Sequence, residues 1–402
     1  MSDFHQNGII STLHNFKIKT KSEVEKELKI FSRKRPIQLI LPSLFSEIKR
    51  PALKRIINEL NKVDYINEVI IGLDQASEEE FKEAKEFFST LKIKHKILWN
   101  DGPNLIKLDK ELAKINLSPQ NFGKGRNVWY CMGYSIACDN AEAIAIHDCD
   151  IKTYTNEILS KLIYPVANPK LNFEFCKGYY PRISKSNING RVSRLLVTPL
   201  IKALKKIIGP SEYLDFMDSF RYPLAGECSF RKRILREVRI PSDWGLEIGI
   251  LSEMHRNYRN SRICQVDIAD EYDHKHQDLS PDDSSKGLSK MSVDIAKTLL
   301  RKLATQGNTF SMENFRTLKA TYYRIALDFV EIYKKDCEMN SINLDIHKEE
   351  KAVELFAENV MKAGETFLDK PLETPFIPTW NRIESAKPGF MKRLKKAVES
   401  YN

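Results

Sequence analysis

Short apolar runs alternate with amphipathic stretches through the first 150 residues of the chain. The runs are rich in isoleucine, leucine and valine and end at polar residues, which is typical of buried strands. The stretches between them repeat apolar residues every three or four positions, which is typical of helices. The predicted strands are residues 37–42, 67–73, 94–99 and 143–148.

Three helices are predicted between these strands. Pro51 opens the first, whose apolar residues keep helical spacing as far as Val63. Ser77 and Glu80 form a capping box that starts the second. A glycine-containing loop leads into the third, within residues 123–138. Such alternation predicts a mostly parallel sheet covered by helices on both faces, with ligands bound at the carboxyl ends of the strands.

The rest of the chain changes from a mixed to a helical pattern. Strands are predicted at 173–183 and 262–268, and helices at 190–207 and 244–258. From about residue 285 onwards the pattern is helical, with predicted helices at 291–304, 320–337 and 350–364. Residues 281–289, PDDSSKGLS, have the composition of a linker between the two parts.

Composition limits the partners and the compartment. The net charge of +10, spread along 402 residues, suits anionic ligands but does not single out nucleic acid. Seven cysteines without a CxxC pair argue against a disulfide framework and indicate a reducing cytoplasm. The first residues lack the pattern of a signal peptide, and no apolar run is long enough to cross a membrane.

Two aspartates one residue apart follow the predicted strand at 143–148. On a continuing strand, the carboxylates of Asp148 and Asp150 point to the same side, with Cys149 between them. Like charges that close repel each other unless a cation or hydrogen-bond donors hold them. A divalent ion such as Mg²⁺ or Mn²⁺ would do so. Two acids in a solvated loop remain the alternative.

Three further motifs carry groups that bind metals or anions. Asp273-His274-Lys275-His276 supplies two imidazoles after a predicted strand. Gly123 and Lys124 precede a helix, where backbone N–H groups and an ammonium group bind anions. Arg191 and Ser193 suit a phosphate or carboxylate clamp. A polar loop, a glycine cap and an ordinary helix cap are the respective alternatives.

Two glutamates follow glycines in apolar surroundings. Glu227 ends the segment PLAGE, and Glu247 lies within WGLEIG. Either carboxylate would be able to hydrogen-bond sugar hydroxyls. The alternatives are a turn residue for Glu227 and a helix-capping acid for Glu247.

Taken in order, these motifs resemble a known family. LPSLFSE, GLDQA, GKGRN, HDCD, NGRVSRLLVTPL, PLAGE, WGLEIG and EYDHKHQ span residues 41–277 and resemble the glucosyl-3-phosphoglycerate synthases. These are retaining nucleotide-sugar glycosyltransferases of the GT-A fold. The resemblance implies an α/β fold, a Rossmann-like sheet sandwiched by helices, with a C-terminal helical extension. The GT-A domain would cover 1–280, with a donor half at about 35–150 and an acceptor half at about 151–280; residues 281–402 would form an oligomer contact or lid.

The resemblance also implies roles for individual residues. Glu247, Asp148 and Lys124 are the implied catalytic residues, and Asp150 and His274 the implied metal ligands. The implied acceptor-binding residues are Gly190, Arg191, Val192, Ser193 and His276. The implied donor-binding residues are Pro42, Ser43, Leu44, Glu47, Asp74, Gly123, Lys124, Asp148, Cys149 and Glu227.

The implied reaction is metal-dependent transfer of glucose from UDP-glucose, or another nucleotide-activated glucose, to the 2-hydroxyl of 3-phosphoglycerate. It is the first step towards glucosylglycerate, a compatible solute. Mg²⁺ or Mn²⁺ is the expected cofactor, and a cytoplasmic homodimer that binds neither nucleic acid nor membrane is the expected assembly. No carboxylate is an obvious nucleophile, so front-face attack is the favoured route to retention.

Three other functions stay open at the level of sequence. A mannosyltransferase, or another sugar transferase with a different acceptor, would use the same residues. A sugar-phosphate nucleotidyltransferase usually has a glycine-rich loop after its first strand, where this chain has LPSLFSE. A nucleic-acid binder needs basic residues interleaved with aromatic ones, and only GYYPRISKS at 178–186 has that composition.

Overall fold

An eight-stranded sheet forms the centre of the molecule. It is seen in a computed structural model that describes residues 6, 8–119, 122–184, 187–274, 287–371 and 376–401. The strands of the sheet lie in the order β1-β10-β6-β9-β5-β2-β3-β4, and β7 and β8 form a separate hairpin. The strands are β1 (Ser11–Leu13), β2 (Ile37–Leu44), β3 (Ile66–Asp74), β4 (His95–Trp99), β5 (Ala143–Ile146), β6 (Phe175–Tyr179), β7 (Ile183–Ser184), β8 (Asn187–Ile188), β9 (Cys228–Arg231) and β10 (Ile263–Asp267).

One strand of this sheet runs against the others. β9 pairs antiparallel with β5 and β6, whereas the other neighbouring strands pair in parallel. The residues just before β9 therefore reach the same edge as the residues just after β2, β3 and β5. Gly226 and Glu227 therefore lie beside Asp148, at the same edge of the sheet as Asp74.

The six strands predicted from the sequence are confirmed, with one change that affects the site. β5 ends at Ile146, so Asp148 and Asp150 lie in the irregular segment beyond it. The strand alternation expected to align their carboxylates is therefore wrong, because no strand continues that far. β1 and β9 are not predicted by the pattern, since their residues, STL and CSFR, are short and do not form an apolar run.

Helices cover both faces of the sheet and form the C-terminal part. The capping box at Ser77 and Glu80 is confirmed, with each side chain bonded to the other's backbone N–H. Within the described residues the α-helices are α1 (Lys21–Phe31), α2 (Phe45–Ile48), α3 (Pro51–Leu60), α4 (Glu78–Phe88), α5 (Pro103–Ala113), α6 (Lys124–Cys138), α7 (Asn156–Ala167), α8 (Thr198–Ile208), α9 (Glu212–Asp218), α10 (Lys232–Glu237), α11 (Leu246–Asn257), α12 (Gly287–Ala304), α13 (Met312–Met339), α14 (Ile346–Asp369), α15 (Trp380–Ala386) and α16 (Phe390–Glu399). A π-helix, Val192–Val197, precedes α8, and a 3₁₀ turn, Asn260–Arg262, precedes β10.

The C-terminal helices share a hydrophobic core with the sheet. One cluster of buried side chains includes Ile40 and Ile70 of the sheet and Val353 and Trp380 of the C-terminal part. The ring of Trp380 stacks on that of Trp129 in α6, with centroids 4.0 Å apart. The predicted helices of this part are confirmed as α12, α13 and α14. Most of the predicted linker, residues 281–286, lies outside the described residues.

Candidate active site

A cavity of about 650 Å³ opens at the carboxyl edge of the parallel strands. It gathers segments that are far apart in the chain, because several strands and helices end or begin at this edge. Sixteen of the residues named from the sequence line it: Pro42, Ser43, Leu44, Glu47, Asp74, Gly123, Lys124, Asp148, Cys149, Asp150, Gly190, Arg191, Val192, Ser193, Glu247 and His274. The other two predicted site residues are Glu227 and His276. Glu227 lies behind the wall, and His276 lies outside the described residues.

Lys124 joins two of the carboxylates in this cavity. It is the first residue of α6, and its Nζ lies 2.6 Å from Oδ1 of Asp148 and 3.0 Å from Oε1 of Glu247. Burial alone would lower the pKa of Lys124, but the two carboxylates outweigh burial and raise that pKa well above its usual value. Lys124 is therefore a permanent cation beside two acids, suited to stabilise negative charge that develops on a substrate.

The carboxylate of Asp148 packs directly against Gly226, where no side chain would fit. A Cβ atom on Gly226 would lie 2.4 Å from Oδ2 of Asp148, closer than any carbon–oxygen contact allows. Burial raises the pKa of Asp148 to about 6, with Lys124 acting in the opposite direction. Gly226 thus explains why the segment PLAGE needs a glycine before its glutamate.

Glu227 supports Asp148 from behind the cavity wall. Its side chain is 0% exposed and accepts hydrogen bonds from the hydroxyls of Tyr180 at 2.8 Å and Tyr272 at 2.6 Å. Burial would raise the pKa of Glu227, but these hydrogen bonds and nearby positive charge lower it. In the structure its role is to anchor two stacked tyrosines and the turn at Asp148. Direct contact between Glu227 and a donor sugar stays a prediction.

Asp150 and His274 lie side by side at the cavity wall. Oδ2 of Asp150 is 3.7 Å from Nδ1 of His274. Burial would raise the pKa of Asp150, but His274 and the charge of Lys124 lower it. Together the two side chains would offer one divalent cation a carboxylate oxygen and an imidazole nitrogen as ligands. No group of three or more metal-binding side chains occurs among the described residues, so such a cation needs ligands from substrate or water.

The wall formed by β2, α2 and β3 carries five of the ten predicted donor residues. Pro42, Ser43 and Leu44 end β2, and Asp74 ends β3. Burial raises the pKa of Asp74 to about 6. Burial likewise raises the pKa of the Cys149 thiol, to about 12, so that thiol stays neutral and is no nucleophile.

Four of the predicted acceptor residues also line the cavity: Gly190, Arg191, Val192 and Ser193. Gly190 adopts a φ of +76°, a left-handed conformation that turns the chain into the π-helix. The Oγ of Ser193 is buried at the cavity and has no hydrogen-bond partner among the described residues. An unpaired buried hydroxyl of this kind is what a polar ligand group would satisfy.

Sequence reasoning missed other residues of this cavity. Arg182 and Tyr222 line it near Gly190, and the Arg182 Nε is buried without a hydrogen-bond partner among the residues described. Arg182 falls in GYYPRISKS, a segment considered above only for nucleic-acid binding. Leu288, Lys290 and Met291 of α12 also line the cavity. Nothing local in the sequence places this C-terminal helix beside the carboxyl edge of the sheet.

Comparison with known proteins identifies close relatives of the chain. It is 43% identical over 402 residues to the glucosyl-3-phosphoglycerate synthase of Persephonella marina, covering 100% of this chain and 99% of that protein. It is 37% identical over 399 residues to the glucosyl-3-phosphoglycerate synthase of Methanococcoides burtonii, covering 98% of this chain and 97% of that protein. No family model matches the chain.

A solved structure shares the fold. The crystal structure of glucosyl-3-phosphoglycerate synthase from Mycobacterium tuberculosis, in complex with Mn²⁺, UDP and glucosyl-3-phosphoglycerate, matches with a TM-score of 0.53 at 20% sequence identity. The match covers 73% of this chain and 87% of that one. Across the described part of this chain, no helix is both long and apolar enough to cross a membrane.

Proposed function

The chain belongs to the glucosyl-3-phosphoglycerate synthase family, and we propose that it transfers glucose from UDP-glucose to the 2-hydroxyl of 3-phosphoglycerate with retention of configuration. The observation that carries the proposal is one cavity that holds Lys124, the Asp150–His274 pair and the Arg191–Ser193 segment together. These groups suit a diphosphate leaving group, a divalent cation and an anionic acceptor, respectively. Both proposed substrates are polyanions, which agrees with the net charge of +10.

Asp150 and His274 are the proposed ligands of a Mg²⁺ or Mn²⁺ ion. The carboxylate of Asp150 is the hard oxygen ligand that both ions prefer, and the imidazole of His274 adds a nitrogen ligand; two protein ligands leave positions for substrate phosphates. When bound, the ion supplies Lewis-acid stabilisation of the departing diphosphate. The glucosyl-3-phosphoglycerate synthase from Mycobacterium tuberculosis was solved with Mn²⁺ and UDP, which supports a divalent cation as the cofactor.

Lys124 is the proposed cationic residue for the leaving group. Breaking the sugar–phosphate bond develops negative charge on the diphosphate, and a fixed ammonium group stabilises that charge most effectively in a buried site. The carboxylates of Asp148 and Glu247 hold the ammonium in place. Because both carboxylates are paired with a cation, neither is a free nucleophile, and we propose attack by the acceptor hydroxyl from the face that the diphosphate leaves.

Two accompanying proposals concern the working form of the protein. A cytoplasmic location agrees with the seven cysteines, all of which are free thiols, as a reducing compartment requires. A homodimer, with residues 281–402 as the oligomer contact, stays a prediction that light scattering of the purified protein would check.

Glucosyl transfer by purified protein tests the proposed function. UDP-glucose would be incubated with and without 3-phosphoglycerate, in Mg²⁺ or EDTA, while UDP release and the sugar product are followed. We expect release that requires both acceptor and metal, and a product whose anomeric proton NMR signal shows the α configuration of the donor. UDP release that does not depend on 3-phosphoglycerate, or sugar transfer only from GDP-mannose, would contradict the proposal.

A further inference from the structure

A buried carboxylate from the C-terminal part holds the predicted acceptor arginine. Glu349, in the first turn of α14, is 1% exposed. Its Oε1 accepts a hydrogen bond from Nε of Arg191 at 2.6 Å, and its Oε2 accepts one from Nη2 of Arg194 at 2.7 Å. A single carboxylate therefore bridges two arginines of the segment GRVSR, from 158 and 155 residues away.

The two arginines differ in what else they contact. Arg194 is buried, donates from Nε to the carbonyl of Asn189 at 2.9 Å, and stacks over the ring of Tyr333. Arg191 is 33% exposed, lines the cavity, and has its one ion pair among the described residues with Glu349. Arg194 is thus held at Nε, at Nη2 and at one face of its guanidinium, whereas Arg191 is held at Nε and lines the cavity.

The charges of this cluster explain why it contains a second arginine. Glu349 alone would cancel the positive charge of Arg191 and so weaken its attraction for an anionic ligand. Arg194 neutralises Glu349 instead, so the three side chains together keep one positive charge beside the cavity. Glu349 is then able to orient Arg191 without removing its attraction for a phosphate or carboxylate.

From this arrangement we infer that Glu349 is a positioning residue for acceptor binding, and that α14 thereby makes the C-terminal helices part of the acceptor site. The inference rests on the proposed function, in which Arg191 binds 3-phosphoglycerate. Glu349 acts through Arg191 and touches no substrate itself. Its contribution is to hold the long, flexible side chain of Arg191 in one conformation, so that less conformational entropy is lost when the acceptor binds.

Two substitutions of Glu349 test its role. Glu349→Gln removes the negative charge and keeps the shape of the side chain. Glu349→Asp keeps the charge, but its carboxylate lies one methylene further from the two arginines. Both are expected to raise the KM for 3-phosphoglycerate by about tenfold or more, the loss typical of a charge-assisted hydrogen bond. The KM for UDP-glucose should stay within about twofold. Glu350→Gln, an exposed neighbour on the same helix, is the matched control and should behave as wild type.

A double-mutant cycle separates positioning from a general structural effect. If Glu349 acts through Arg191, Glu349→Gln will not raise the acceptor KM further in an Arg191→Ala background. Additive increases, or donor and acceptor KM values rising together, would show a structural role and overturn the inference. Should Glu349→Gln fail to fold, Glu349→Asp carries the same test, because it leaves Arg191 and Arg194 with a carboxylate partner.

Direct binding of 3-phosphoglycerate, measured by titration calorimetry, distinguishes failure of this inference from failure of the proposed function. If wild-type protein neither binds nor glucosylates 3-phosphoglycerate, the proposed function is wrong and the inference falls with it. If wild-type protein does both while folded Glu349→Gln keeps the wild-type acceptor KM, the inference alone is wrong.

Discussion

Nζ of Lys124 lies 2.6 Å from Oδ1 of Asp148, which ties the first residue of α6 to the segment that follows β5. With Glu247 on its other side, the ammonium group is shared between two acids. A diphosphate that enters the cavity meets a cation already oriented by the protein, so little reorganisation accompanies the charge that develops on it.

Replacing Lys124 should therefore impair chemistry more than acceptor binding. In Lys124→Met a side chain of similar length keeps the packing but loses the charge. We expect kcat to fall by about 100- to 1,000-fold, as for loss of one preorganised stabilising group, with the KM for 3-phosphoglycerate changed by less than about threefold. Steady-state kinetics with each substrate varied in turn would measure both quantities.

Lys82→Met, on the exposed face of α4, is the control for removing one positive charge and should leave kcat unchanged. A Lys124→Met enzyme that keeps at least half of the wild-type kcat would show that Lys124 does not stabilise the leaving group. Circular dichroism of both variants would confirm that they fold.

Removing either member of the Asp150–His274 pair should weaken metal binding. Asp150→Asn and His274→Gln keep the shape of each side chain but weaken its ability to bind a cation. We expect the Mn²⁺ concentration for half-maximal activity to rise by at least roughly tenfold, because even partners of metal ligands typically contribute 10- to 100-fold to affinity. Electron paramagnetic resonance titration of Mn²⁺ would measure binding apart from turnover.

His347→Gln changes an exposed histidine in the first turn of α14 and serves as the matched control. Unchanged Mn²⁺ affinity in both site variants would show that the cation binds elsewhere. Full wild-type activity in EDTA would contradict metal dependence altogether.

The raised pKa of Asp74 predicts how stability changes with pH. Burial raises that pKa from 3.8 to about 6, so the folded protein holds this proton more tightly than the unfolded chain does. The stabilisation from the bound proton is complete below pH 4 and is lost as pH rises through 6. At pH 8 the charged carboxylate costs the folded state up to about 3 kcal/mol.

Asp74→Asn should remove this cost. We expect its free energy of unfolding to exceed that of wild type by up to about 3 kcal/mol at pH 8 and to equal it near pH 4, measured by urea titration at both values. Asp328→Asn, on the surface of α13, should show no such pH-dependent difference. A constant difference between Asp74→Asn and wild type at the two pH values would contradict the assignment.

The sequence predicted most of the sheet because strand burial leaves a local pattern. β2 and β3 are long apolar runs, and the capping box at Ser77 is a signal confined to four residues. β9 was missed because its four residues, CSFR, do not form an apolar run as the four residues of β5 do. Its antiparallel direction depends on where the chain returns to the sheet. Contacts within the site are limited in the same way. The segment PLAGE indicates that Glu227 is a candidate site residue, but it does not predict the hydrogen bonds that two tyrosine hydroxyls donate to its carboxylate.

Glu349 shows the other limit of sequence reasoning. It is one of several acidic residues in α14, and nothing in its position along the helix sets it apart from the other glutamates. What distinguishes it is contact with Arg191 and Arg194, which only the packing of α14 against the π-helix creates. That residues 281–402 form an oligomer contact or lid stays a prediction; the contact of Glu349 with Arg191, the proposed acceptor residue, was not predicted.

The last prediction concerns how the C-terminal segment is held against α6. Gly133 in α6 faces the ring of Trp380, and a Cβ atom there would lie 2.1 Å from Cζ2 of that ring. The indole N–H of Trp380 donates to the carbonyl of Trp129 at 3.1 Å, and the indole N–H of Trp129 donates to the carbonyl of Pro378 at 2.9 Å. The two tryptophans therefore attach the C-terminal segment to the helix that carries Lys124.

Gly133→Ala and Trp380→Ala should accordingly be strongly non-additive. Alone, Trp380→Ala should lower the free energy of unfolding by about 3–5 kcal/mol through the cavity it leaves, and Gly133→Ala by about 1–3 kcal/mol through overpacking. In the Trp380→Ala background, Gly133→Ala should cost nothing or stabilise by up to about 1 kcal/mol, because alanine favours helix over glycine. Urea titration of the four proteins measures the coupling.

Ile332→Ala, on the exposed side of α13, is the control and should instead combine additively with Gly133→Ala. Additive losses for Gly133 and Trp380 would show that the ring does not occupy this position in solution.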